Sequence, residues 1–362
     1  MKQLLALAFV ALLSAGCANT TGVGYYWQSV AGHVLLMQAA RPVDDWLADD
    51  AAPPKLKERL EAARRIRQFA VSELALPDNN SYQRYADLKR RAAVYNVVAA
   101  PALSLKLETW CFPVAGCVGY RGYFLESSAK AFADSLDPQL EVAVYPVPAY
   151  STLGWMNWAG GDPLLNTFIH YPEGELARTV FHELAHQVVY VQNDTAFNES
   201  FATTVERLGG ALWLNRASEQ ARTDYATFDH RRRAFRALTR ATRERLKAIY
   251  EDARLGDAAK LQLKAGTLND FRQQYEHLKA GWNGYAGYDP FVARANNASF
   301  AAQAAYDDWV PAFEALFERE GRDFARFYDA VRALSGRPKD ERQAALRELA
   351  PTALAASDTP RP

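Results

Sequence analysis

The chain has 362 residues, of which 49% are hydrophobic and 23% charged, an ordinary globular composition long enough to enclose a sizeable core. Lys plus Arg and Asp plus Glu both total 42, so the formal charge is zero. Such a balance gives no basic excess to attract a polyanion, and nucleic acid is not an expected partner.

At the N-terminus, Lys2 precedes an unbroken apolar run from Leu4 to Leu13, too short to span a bilayer, and Ser14, Ala15 and Gly16 lead to Cys17. The segment resembles a bacterial lipoprotein signal in which Cys17 becomes the lipidated first residue. A plain secretory signal cut near Ala15 or Ala18 is the alternative. Ala18 after the cysteine points to sorting to the outer membrane, with the body facing the periplasm. Residues 1–17 are thus read as a signal, 18–350 as one unit, and 351–362 as a flexible tail. Cys111 and Cys117 are the two remaining cysteines. They bracket a turn-forming FPVAG, either as a local disulfide or as two free buried thiols.

After a short Gly/Thr linker comes an aromatic and apolar segment from Tyr25 to about Trp46. Leu56, Leu60, Ala63, Ile66, Phe69 and Ala70 then recur at helical spacing and predict a helix over 54–74. Another helix is expected over 82–98. Between 103 and 124 the helical period gives way to Gly, Pro and aromatics. A helix follows at 127–136, and LEVAVYPV alternates as a strand. Residues 149–171 read as strand and loop, and Pro172 starts a helix with Glu173 and Glu175 in its first turn. Further helices are expected over 198–213, 216–255, 258–280, 298–319, 321–334 and 338–349. Arg231 to Arg233 read as a solvated helix face. The fold class is α+β, predominantly helical, with a small sheet before the helix that begins at Pro172.

That helix carries FHELAHQ. His182 and His186, four residues apart, lie on one helical face and can aim at one point, while Leu176, Val180, Leu184 and Val188 form a stripe that buries the back. Glu183, about 100° around from His182, is placed to act as a base beside a metal without ligating it. Glu199 is the best third ligand, on a helix capped by Asn198 and backed by Phe201, Val205 and Leu208. Glu206, two turns further on, is either an acceptor for a ligand histidine N–H or a surface glutamate. Two histidines, a carboxylate and an open position make the set of a catalytic zinc. His33, His170, His230 and His277 read as core or surface residues.

HELAHQ followed by NESFATTVE resembles the HELAHQ…NEGFA signature of the aminopeptidase N-like gluzincins. The fuller wording resembles a family of bacterial predicted aminopeptidases, largely lipoproteins. The matching segments are WCFPVAGCVGYRGYF, AYSTLGW, DPLLNTF, DTAFNESFATTVE, and NNA…YDDWVPAFEALF. The resemblance implies a gluzincin-like fold, zinc at His182, His186 and Glu199, Glu183 as catalytic base, and peptide substrates. Gluzincins of this kind carry an upstream GxMEN motif whose glutamate helps to bind a free amino terminus. The corresponding Gly154–Asn157 has no glutamate, and Asp162 and Asp194 are the acidic residues that could stand in. A donor to the developing oxyanion is also expected, with Tyr285, Tyr288 and Tyr306 as candidates. The favoured reading is an aminopeptidase. An endopeptidase with the same site, or an envelope lipoprotein whose metal only ties two helices together, are the alternatives.

Overall fold

The structure, a computed structural model, describes residues 22–112, 116–154, 157–304 and 309–357. Cys17 with its preceding segment, Tyr306, and the Trp155–Met156 pair lie outside the described residues. Among the described residues, helix dominates and the strands form small sheets. No helix there is long and apolar enough to cross a membrane.

The first helix, α1 (Val23–Ala39), leads into β1 (Ala40–Pro42) and the short α2 (Val43–Ala48). The amphipathic α3 (Pro54–Ser72) begins on Pro54, whose missing N–H costs nothing at a helix start. Its Leu60, Ala63, Ile66 and Ala70 are almost completely buried.

Residues 82–98 differ from expectation. They form β2 (Arg84–Ala86) and β3 (Val94–Pro101), not a helix. β3 is the central strand of an antiparallel sheet, between β6 (Arg121–Tyr123) and β7 (Leu140–Val147). A central strand buried on both faces shows no alternation, so its apolar run reads equally well as helix. The β-branched Val97 and Val98 fit the pleat better than a helix. Cys111 and Cys117 face each other across a hairpin of β4 (Trp110–Phe112) and β5 (Gly116–Val118), joined by a disulfide. Helix α4 (Glu126–Asp134) packs on this sheet. A separate sheet orders β1, β2 and β8 (Leu164–Leu165), with β2 and β8 parallel.

Two helices then carry the sequence motif, α5 (Glu173–Ala185) and α6 (Thr195–Arg216). Leu176, Val180 and Leu184 are wholly buried, as are Phe201 and Val205 on α6. Both backs join the main core with Phe313, Phe327 and Tyr328. Burying each such side chain contributes roughly 1.5–3 kcal/mol, so the two helices are seated from behind. Gly210 permits their close approach: a Cβ there would lie 2.6 Å from Arg178 Cγ.

Beyond them run α7 (Glu219–Glu251) and α8 (Asp257–Gly281). With the short α9 (Asp289–Val292) and α10 (Asn297–Ala304), these build a second aromatic core around Phe235, Phe271, Tyr275 and Phe300. Helices α11 (Val310–Arg319), α12 (Phe324–Ser335) and α13 (Lys339–Ser357) complete the chain. α13 reaches into the stretch read as a tail, whose last residues, 358–362, lie outside the described ones.

Candidate metal centre

His182 and Glu183 lie in the last turn of α5, and His186 is its C-cap residue. Helix α6 starts earlier than expected. Its cap is Asp194, whose side chain accepts from the Phe197 N–H, so Asn198 sits inside the first turn. There Asn198 accepts from the Val191 N–H and donates to the Val191 carbonyl, both at 2.8 Å, closing the loop between the two helices. Asp194 is itself held by the buried guanidinium of Arg342. These contacts turn the chain back so that Glu199 faces the histidines.

The two imidazole Nε2 atoms lie 3.2 Å apart. The Glu199 carboxylate oxygens lie 3.3 Å from His182 Nε2 and 3.7 Å from His186 Nε2. One ligand atom from each of the three residues falls within 4.8 Å of the others. Two imidazole nitrogens facing each other at this distance hold at most one proton between them, and a carboxylate alongside adds only acceptors. A divalent cation satisfies all three together, so the donor set fits a metal.

Electrostatics carry the same message. Burial pulls the His182 imidazole down, but hydrogen bonds to Glu199 and Glu206 outweigh it and hold the ring well above its ordinary range. Negative charge around this point therefore favours a positive one at its centre. Burial lowers His186 to about 4, so it is a neutral imidazole at neutral pH, the form a ligand needs. Glu199 is held below the ordinary range: burial would raise it, and the two histidines prevail.

Glu206 is an acceptor for the site, not a surface residue. His182 Nδ1–H donates to its carboxylate at 3.0 Å, which leaves Nε2, the nitrogen facing Glu199 and His186, as the one that could ligate a metal. Glu206 in turn is paired with the buried Arg178, which also donates to the Tyr225 hydroxyl at 2.6 Å. Arg232, read as part of a solvated face, belongs to this assembly instead. Its side chain is largely covered and pairs with Glu175 at 2.7 Å and with Asp229.

Glu183 sits on the other side of the triad. Burial raises it to about 7; nearby His182 lowers it, while Glu199 and Asp162 push it further up. A carboxylate so poised can take a proton near neutral pH. Ser151 hydrogen-bonds Glu183 and lies 3.4 Å from Asp162 Oδ2. Asp162 is deeply buried and accepts the Thr152 N–H through both oxygens at 3.0 Å. Both acidic residues proposed as amine binders are thus occupied, Asp162 by this loop and Asp194 by Arg342. Asn157 does reach the residue just after the motif helix: it accepts from Ser81 Oγ at 2.9 Å and lies 3.4 Å from Gln187, which donates to Ser81 at 3.1 Å.

Of the expected tyrosines, Tyr285 and Tyr288 are elsewhere. Tyr288 stacks on Phe235 at 4.0 Å in the second aromatic core, and Arg231 lies over Tyr285. Three others face the centre instead. Tyr120, Tyr145 and Tyr190 are each raised chiefly by burial, with the Glu199 charge adding to the rise. The Glu183 charge also adds to that of Tyr120, which is 37% exposed. Tyr120 directly follows the disulfide hairpin. That hairpin is clipped to the interhelical loop by the Cys117 N–H, which donates to Asn193 Oδ1 at 2.7 Å. The WCFPVAGCVGY wording was the available signal, since it sets a tyrosine beside a pinned turn. Tyr82 also approaches Glu183; its buried hydroxyl has no hydrogen-bond partner among the described residues, and its backbone is left-handed at φ 64°.

No curated protein and no solved structure matches the chain. Residues 24–346 match a family model described as "Putative aminopeptidase". This span takes in the disulfide hairpin, the two motif helices and both cores, and the chain belongs to that family.

Proposed function

We propose that the protein is a zinc-dependent metallopeptidase acting as an aminopeptidase on short peptides. The observation that carries this reading is the convergence of His182, His186 and Glu199 at one point with Glu183 beside it. His182, His186 and Glu199 would hold the metal, and Glu206 keeps His182 in the tautomer that can ligate. The metal, when bound, polarises a scissile carbonyl and acidifies a water at this point. Glu183 takes the proton of the attacking water and passes it to the departing amine. Tyr120 donates to the oxygen on which charge develops, its raised value keeping it protonated for that role. The purely structural rival leaves Glu183 unexplained.

We also propose that Cys17 carries a lipid that tethers the protein to the periplasmic face of the outer membrane. A second mode, endopeptidase action with the same chemistry, is favoured by one observation: Asp162 and Asp194 are both occupied and present no carboxylate to a substrate amine. Peptide panels with free and acetylated amino termini, run with metal analysis before and after chelation, test the proposal. Hydrolysis of free-amine peptides that is lost on chelation and restored by zinc supports it. Cleavage of acetylated peptides alone would replace the aminopeptidase with the endopeptidase. No hydrolysis of either, by zinc-loaded protein, would reject both.

A further inference from the structure

Helix α1 has two unlike faces. Its inner side packs on the protein: Gln28 accepts from the Phe124 N–H at 3.2 Å, His33 meets the Tyr150 hydroxyl at 3.2 Å, and Leu36 is buried. Gly32 on that side leaves no room for a Cβ, which would collide with the Phe124 ring. On the opposite side Tyr26, Trp27, Val30, Val34 and Leu35 are 45%, 54%, 58%, 44% and 66% exposed. At 100° per residue these five span about half the helix circumference.

A helix on the surface of a globular protein normally turns charged residues outward. This one contains no Asp, Glu, Lys or Arg in its 17 residues. The charge-rich α7 shows the usual solution in the same chain. An uncharged apolar face of this length carries at its N-terminal end Tyr and Trp, the residues enriched at membrane–water interfaces.

Chain length identifies the occupant. Only residues 18–22 separate Cys17 from the start of α1. Fully extended, that connection reaches about 20 Å. If Cys17 is acylated, as proposed above, the helix cannot leave the neighbourhood of the bilayer surface. We propose that α1 lies along the membrane, with Trp27, Val30 and Val34 in the headgroup region. The same helix backs Tyr150, the residue before Ser151. The loop that holds the partners of Glu183 would then stand about one helix diameter, roughly 10 Å, from the lipid.

The test uses the full chain and vesicles of phosphatidylethanolamine and phosphatidylglycerol with brominated acyl chains. The acylated protein should show tryptophan quenching that Trp27→Phe removes in part. A Val30→Glu, Val34→Glu double variant should lose the same quenching, stay on the vesicles through its lipid, and hydrolyse soluble peptides as before. An unacylated Cys17→Ser chain should still float weakly with vesicles, and the double substitution should cut that binding about tenfold or more. Equal quenching of wild type and Trp27→Phe on the vesicles would overturn the proposal. So would a vesicle-free dimer, seen by sedimentation, that the double substitution dissolves, because a second copy would then cover the face. Absence of acylation in cells would count against the anchor alone, since the Cys17→Ser arm reads the helix by itself.

Discussion

Behind the metal triad, Arg178, Glu206, Arg232 and Asp229 form a buried set in which each charge has an opposite partner; Glu175, which also pairs with Arg232, is the exception, raised by burial to about 7. In front of it, Glu183, Asp162, Tyr82, Tyr120 and Tyr145 are groups whose neutral, proton-carrying forms burial favours. The difference is one of task. Paired charges hold fixed geometry, because moving either partner leaves the other uncompensated in a poor solvent for ions. Groups kept near neutrality can give and accept protons without that penalty. On the proposed reading, the back of the site would fix the ligands and the front would do the chemistry.

Substitutions should separate these tasks, some moving metal affinity and stability and others turnover alone. The largest effect is expected at the triad, where Glu199→Ala should reduce metal content by elemental analysis to background and abolish turnover. Arg178→Met removes one side of a buried pair and should lower stability by about 3–5 kcal/mol in denaturant titrations. Tyr120→Phe should leave metal content and stability unchanged while turnover falls about 10²–10³-fold. A variant that also lost metal would move Tyr120 to the back of the site.

Glu206→Gln should weaken metal affinity by about 10–100-fold in competition with a chelator. It carries a pH signature as well. Burial alone would raise Glu206, but the Arg178 guanidinium prevails and leaves it at about 2, below the ordinary 4.5. The folded form thus binds the proton less readily than the unfolded one. Its pairing stabilises the fold fully above about pH 4.5 and is lost as pH falls toward 2. The stability gap between wild type and Glu206→Gln should therefore narrow over that window, in urea titrations of the metal-free proteins.

What was legible in the sequence follows the range of the forces involved. His182, Glu183 and His186 could be placed because helical periodicity is local, and the buried stripe of Leu176, Val180 and Leu184 set which way they face. Glu199 followed from a short loop and a second stripe. The cap at Asp194 was missed because Asn198, also a good cap residue, lies four positions later and spends its side chain on Val191. Strand β3 was missed because burial on both faces erased its alternation. The tyrosines were missed for a different reason. Tyr120 and Tyr145 reach Glu199 only through sheet and hairpin contacts spanning more than fifty residues, and no local pattern records that. Arg232 was taken as solvated because its partner Glu175 lies on another helix, 57 positions away.

The most direct test of the central claim is a paired measurement on purified Glu183→Gln: bound metal and peptide turnover. The substitution keeps shape and removes the proton acceptor, so metal content should match wild type while turnover falls about 10²–10⁴-fold. Unchanged turnover with metal retained would contradict Glu183 as the base and with it the division between a holding back and a reacting front.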